Sequence, residues 1–218
     1  MEPHPTLLFA DEHMVVLDKP TGWVVHPSGA DAPDLLGWLA QQDVPDQLAP
    51  VHRLDRGTSG VVLLATSETA SHLGRAFSEG LVSKRYFALV FGFTRDKGTI
   101  RRPLQDGRRG QKLEAETRYR TLERPARCSL LDVRPATGRK HQIRRHFQGL
   151  GHALVGDLRY RPRGRPTVPH FPGRLWLHAS DVVLPDGRRW HAPLPDALGQ
   201  HLSLLGVTGD PCGGELQV

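Results

Sequence analysis

Apolar residues in this chain come mostly in short runs, and the runs predict strands more often than helices. Residues 14–20, MVVLDKP, read as a strand ending at a Lys-Pro-Thr-Gly turn. Leu35, Leu36 and Leu39, with Pro33 just ahead of them, predict a short helix. The run 60–67, GVVLLATS, is short, β-branched and uninterrupted, which is the pattern of a buried strand. Ala70, Leu73 and Phe77 then recur at helical spacing, with Thr66 or Ser67 placed to cap the helix and Gly80 just past its end.

Residues 84–92, KRYFALVFG, put Tyr86, Ala88 and Val90 on one face and Phe87, Leu89 and Phe91 on the other. Both faces are apolar, so a central strand is expected. Strand patterns follow at 115–123 and 128–135. A helix is predicted near 141–150, with Ile143, Phe147 and Leu150 as its buried stripe and Lys140, Arg144 and Arg145 off it. Residues 159–174 form a basic, proline-rich loop of the kind that binds or covers a ligand. A strand at 175–184, a Pro185-Asp186-Gly187 turn and a glycine-rich tail from Gly206 complete the reading. Strands outnumber helices and do not alternate regularly with them, so the fold class is α+β. No internal repeat or dividing linker is visible, which leaves a single domain over residues 1–205 and a flexible tail over 206–218.

Composition narrows the partners. The 218 residues are 38% hydrophobic and 24% charged, as in ordinary globular proteins. The longest apolar run, residues 61–65, is far short of the roughly 20 residues a membrane span requires. The N-terminus has no basic region followed by an apolar one, so no secretory signal is expected. Two cysteines, Cys128 and Cys212, make neither a disulfide framework nor a metal cluster, which fits a reducing cytoplasm.

The net charge is +6, but it is unevenly spread. Between Val133 and Ser180 ten Arg/Lys residues accompany one acid, Asp157, so this segment carries +9 and the remainder −3. Of the 29 basic residues 24 are arginines, which suit bidentate phosphate contacts and stacking on bases. A nucleic acid is the polyanion this pattern points to.

The stretch 52–60, HRLDRGTSG, concentrates the candidate chemistry. Asp55 lies between Arg53 and Arg56, ahead of a small-residue turn and the apolar strand. Two guanidiniums favour its ionised form, which acts as nucleophile or base and not as general acid. A loop acid paired with a neighbouring arginine is the plain alternative.

The same stretch resembles the signature of the RluA-type family of RNA pseudouridine synthases. Residues 84–86 (KRY), 137–146 (TGRKHQIRRH) and 151–160 (GHALVGDLRY) resemble three further motifs of that family, in its order. The opening LLFADEHMVVLDKPTGWVVHP and Leu177-His178-Ala179 are also similar, so the resemblance runs from about Leu7 to Pro195. Ala153 and Gly57 depart from residues common at their positions in the family.

The resemblance implies a mixed, largely antiparallel central sheet with flanking helices and a catalytic cleft. It implies an isomerase that converts uridine to pseudouridine, with tRNA ahead of ribosomal RNA as substrate. No cofactor, metal or obligate protein partner is implied, and a monomer suffices. Asp55 would be the catalytic carboxylate, Tyr86 would stack on the uracil, and Arg139 would pair with Asp55. Arg53 would fill the gap left by the flipped nucleotide or simply bridge to Asp55.

His52 and His141 are given supporting roles. Arg56, Lys140, Arg144, Arg145, Arg161, Arg163 and Arg165 are read as RNA contacts. Two other classes stay open: a non-catalytic RNA clamp, and a metal-independent ribonuclease using His52 and His141 as acid and base.

Overall fold

A computed structural model describes residues 4–27, 32–106, 110–161, 168–210 and 212–213. In chain order the first elements are β1 (Thr6–Ala10), β2 (Met14–Lys19), α1 (Leu35–Leu39), β3 (Ala49–Pro50), β4 (Ser59–Ala65) and α2 (Ser67–Ser78). Next come β5 (Ser83–Phe91), β6 (Lys97–Arg101), β7 (Leu104–Gln105), β8 (Lys112–Leu113), β9 (Glu116–Glu123) and β10 (Cys128–Pro135). The last are α3 (Gln142–Gly149), β11 (Leu177–Val183), β12 (Arg189–His191) and α4 (Asp196–Leu204). Strands dominate and their registers are antiparallel, so the chain is α+β with largely antiparallel pairing. No helix among the described residues is long and apolar enough to cross a membrane.

The chain divides into two compact units. The first joins residues 1–82 to 179–193; the second joins 83–178 to 194–218.

In the first unit the strand order is β1-β2-β4-β11, with β3 on β4 and β12 on β11. Every residue of β4 is buried, as its uninterrupted apolar run predicts. Each of its large side chains contributes about 1.5–3 kcal/mol by leaving water. Met14, Val16, Val61, Leu63 and Ala65 form one core with Leu73 and Ala76 of α2 and Trp190 of β12. Thr66 takes the capping position of α2, although its side chain makes no capping hydrogen bond. The β1 edge strand was not foreseen: its residues are half or fully exposed, so no apolar alternation marks it.

The second unit has the order β5-β10-β9-β6, with β7 and β8 as a separate hairpin. The two-faced reading of β5 holds. Phe87, Leu89 and Phe91 enter a core with Trp176, Leu198 and Leu202, while Ala88 and Val90 enter another with Ile143 and Phe147. Cys128 and Cys212 both lie in the first of these cores. The stripe expected on α3 needs correction. Leu150 is 47% exposed, and the buried face is Gln142, Ile143, His146 and Phe147.

Two buried histidines tie this unit together. His146 Nε2 donates to the carbonyl of Arg102, and Thr117 Oγ1 meets its Nδ1. His201 Nδ1 accepts from Trp176 Nε1, and its Nε2 donates to the carbonyl of Pro169. A carbonyl only accepts, so both rings carry a proton on Nε2; an indole N–H only donates, so His201 is neutral. Burial pushes both below the ordinary histidine value, against the pull of their carbonyl partners. Unfolded histidines titrate near pH 6.5, so below that the unfolded chain takes up protons that the native rings refuse. Stability is therefore expected to be level above that pH and to fall as pH drops through it. Thermal melts at pH 7.5, 6.5 and 5.5 check this, and a melting temperature at pH 5.5 equal to that at 7.5 contradicts it.

Candidate active site

In the first unit, the loop from β3 to β4 carries Asp55 on a tight turn closed by the Thr58 N–H donating to the Asp55 carbonyl at 2.9 Å. Asp55 is half-buried, between exposed Arg53 and Arg56 and next to buried Leu54. The turn is gripped by the segment after β2. Lys19, with no exposed surface, donates from Nζ to the carbonyls of Pro20, Trp23 and Arg56. Thr21 Oγ1 donates to the Gly57 carbonyl at 3.1 Å, and Gly22 N to that of Arg56 at 2.8 Å. Arg56 Nε returns a bond to the Gly22 carbonyl at 3.0 Å. The Asp55 turn is thus fastened through its main-chain carbonyls, which hold the backbone of residue 55 in a fixed place.

His52 is a brace. Its Nε2 accepts from Leu63 N at 3.2 Å and its ring stacks on Phe77 at 4.4 Å. Gly60, at the end of this motif, has φ +116°, and a Cβ there would lie 2.0 Å from the carbonyl oxygen of Ala179. Here glycine is required by both backbone conformation and space.

In the second unit, Tyr86 is half-buried on β5 opposite Val133 of β10. Lys84, two residues earlier, is 7% exposed, and burial pushes its ammonium down to about 8. Arg85 pairs with Asp132 at 3.0 Å, both side chains almost fully buried. Beyond β10 the chain turns through Thr137, Gly138 and Arg139 into α3. Arg139 Nε donates to the Glu114 carbonyl at 3.0 Å. His141 sits at the start of α3 with φ 53°, and its Nδ1 meets Tyr160 Oη at 2.8 Å.

Arg144 differs from the expectation of a phosphate contact. Its Nε and Nη2 clamp the two oxygens of Asp157 at 2.7 and 2.9 Å. Asp157 also accepts from the N–H groups of Arg159 and Tyr160. Burial alone would raise the pKa of this carboxyl, but the Arg144 fork and the two N–H donors outweigh it and hold it low. Arg144 therefore braces the Gly-Asp-x-x-Tyr turn from inside; an arginine held so is shielded from an incoming phosphate.

Lys140 is exposed, and Arg145 is half-buried with Nη1 on the Gln105 carbonyl. Arg161 lies over the Phe91 ring at 5.8 Å. Arg163 and Arg165 lie outside the described residues. Among the described residues no group of three or more His, Cys, Asp or Glu side chains is arranged to hold a metal ion.

The structure thus brings His52, Arg53, Asp55 and Arg56 onto one turn of the first unit. In the second it joins Arg139, His141, Arg144, Asp157 and Tyr160 around the start of α3. Sequence reasoning missed Lys19 and Gln142. A lysine just past an apolar run was the only signal for the first. For the second, a glutamine three residues after the arginine it serves was the only one.

Residues 13–149 match the RNA pseudouridylate synthase family. The chain belongs to this family, enzymes that isomerise uridine within RNA. It is 38% identical over 207 residues to the tRNA pseudouridine synthase C of Pectobacterium carotovorum, covering 82% of this chain and 54% of that protein. The ribosomal large subunit pseudouridine synthase C of Vibrio cholerae is 35% identical over 216 residues, covering 91% of this chain and 69% of that one. The human RNA pseudouridylate synthase domain containing 4 shares the fold, with a TM-score of 0.76 at 24% identity over 92% of each chain.

Proposed function

We propose that this chain converts a specific uridine of tRNA to pseudouridine, with Asp55 as the catalytic carboxylate. The observation that carries the reading is the Asp55 turn itself, a half-buried acid whose supporting carbonyls are bound by Lys19, Thr21 and Gly22. A mobile surface acid needs no such fastening.

Pseudouridine formation breaks the bond between N1 and C1′, turns the uracil and joins C5 to C1′. The C5 proton leaves to solvent and N1 gains one, so composition is unchanged and no redox partner enters. Ionised Asp55 opens the glycosidic bond by attacking sugar or base or by removing a sugar proton. Tyr86 stacks on the uracil, and Arg139 supplies the guanidinium that serves the reacting centre. Exposed Arg53 takes the space of the extruded nucleotide, where its guanidinium offsets part of the few kcal/mol that flipping costs. Lys140, Arg145 and Arg161 contact phosphates, joined by Arg163 and Arg165 of the basic loop; Arg144 is left out of this set because Asp157 holds it. The histidines needed by a ribonuclease are engaged elsewhere, His52 with Leu63 and Phe77, His141 with Tyr160.

The test is incubation with transcribed tRNA carrying tritium at uridine C5, with ribosomal RNA in parallel. Tritium release from intact tRNA is expected. Release from ribosomal RNA alone moves the substrate assignment, strand cleavage supports a nuclease, and binding without release supports a clamp.

A further inference from the structure

The Thr-Gly-Arg turn ahead of α3 is held by a side chain that the chemistry above does not use. Gln142 has 5% of its surface exposed and makes all four hydrogen bonds its amide allows. Its Oε1 accepts from Thr137 Oγ1 at 2.6 Å and from Arg139 N at 3.0 Å. Its Nε2 donates to the Glu116 carbonyl at 2.9 Å and to Thr117 Oγ1 at 3.0 Å. The main chain closes the loop, since Gln142 N donates to the Arg139 carbonyl at 3.0 Å. Both the N–H and the C=O of Arg139 are therefore fixed by one residue.

The direction of every proton in this chain follows from its ends. The Arg102 carbonyl accepts, so His146, which burial keeps neutral, carries its proton on Nε2 and offers Nδ1 as acceptor. The hydroxyl of fully buried Thr117 donates to that Nδ1 and accepts from Gln142 Nε2. This leaves Gln142 Oε1 free to take the Thr137 hydroxyl proton and the Arg139 N–H, while Thr137 Oγ1 accepts from Glu116 N at 3.2 Å. One donor–acceptor order satisfies all of these groups, so the amide of Gln142 has one orientation. An apolar side chain would fill the same space without specifying the turn.

We propose that Gln142 is a positioning residue for Arg139, which sets the guanidinium-bearing turn through a hydrogen-bond chain rooted at His146. The inference rests on the role given to Arg139 above. A displaced guanidinium disturbs the reacting centre and leaves the phosphate contacts in place, so turnover falls while RNA binding holds. A shift of about 1 Å at such a group costs on the order of 10²-fold in rate.

The experiment compares wild type, Arg139→Ala, Gln142→Met and the double variant by single-turnover tritium release and by tRNA affinity, with melting curves for each. Gln142→Met is expected to lose about 10²-fold in the rate step with affinity within about threefold. In the Arg139→Ala background it is expected to add nothing, because it acts through that residue. Wild-type turnover in Arg139→Ala overturns the role of Arg139 itself. Impaired Arg139→Ala beside unimpaired Gln142→Met overturns only the present inference, as do additive losses or a loss confined to affinity. Should Gln142→Met fail to fold, the half-buried Thr137 gives the same test. Thr137→Val, lacking the hydroxyl, is expected to lose turnover that Thr137→Ser recovers; equal rates in the two overturn the inference.

Discussion

Asp55→Asn protein is expected to release tritium from uridine C5 at least about 10³-fold more slowly than wild type, the scale on which removal of a reacting group is felt. The amide matches the carboxylate in size, so the turn keeps its shape. Its main-chain carbonyls are held by Lys19, Thr21 and Gly22, and these bonds do not depend on the charge of residue 55. What disappears is the negative oxygen, without which neither attack on the nucleotide nor removal of a sugar proton is possible. Tritium release is read beside a melting curve and tRNA affinity. Near-normal release from the variant removes Asp55 from the chemistry.

Gly60→Ala is expected to destabilise the first unit by about 4 kcal/mol or more, from backbone strain and overpacking acting together. The φ of +116° lies where an alanine is strained, and the new methyl would fall 2.0 Å from the Ala179 oxygen. That oxygen belongs to the main chain of β11, the neighbour of β4, and no side-chain rotation relieves the overlap. For a chain of this size the melting temperature is expected to drop by roughly 10 °C. A variant that melts within a degree or two of wild type shows that β4 and β11 do not approach as described.

The sequence revealed most where burial and periodicity coincide. The unbroken apolar run of β4 and the two apolar faces of β5 are both borne out because each side chain meets a core. It revealed least where buried groups are polar. On α3, hydropathy favours Leu150 over Gln142 and His146, yet the polar pair is buried because its partners come from Arg102, Glu116 and Thr117, 25 to 44 residues away. No local pattern announces such partners. The same holds for Arg144, which reads as a free cation until Asp157, 13 residues on, is found beneath it. The Asp55 turn stands between these cases. Its motif was plain, but the hidden ammonium of Lys19 that binds it was not, since lysine is among the residues least often found inside.

The division of the chain also bears on biosynthesis. Each unit is discontinuous, and the first is completed only by residues 179–193, after the 96 residues of 83–178. At roughly 5–20 residues per second on the ribosome, that interval lasts about 5–20 s. Throughout it β4, already translated, lacks the strand that will press on Gly60. The loop bearing Asp55 therefore matures late, only after residues 83–178 of the second unit have been translated.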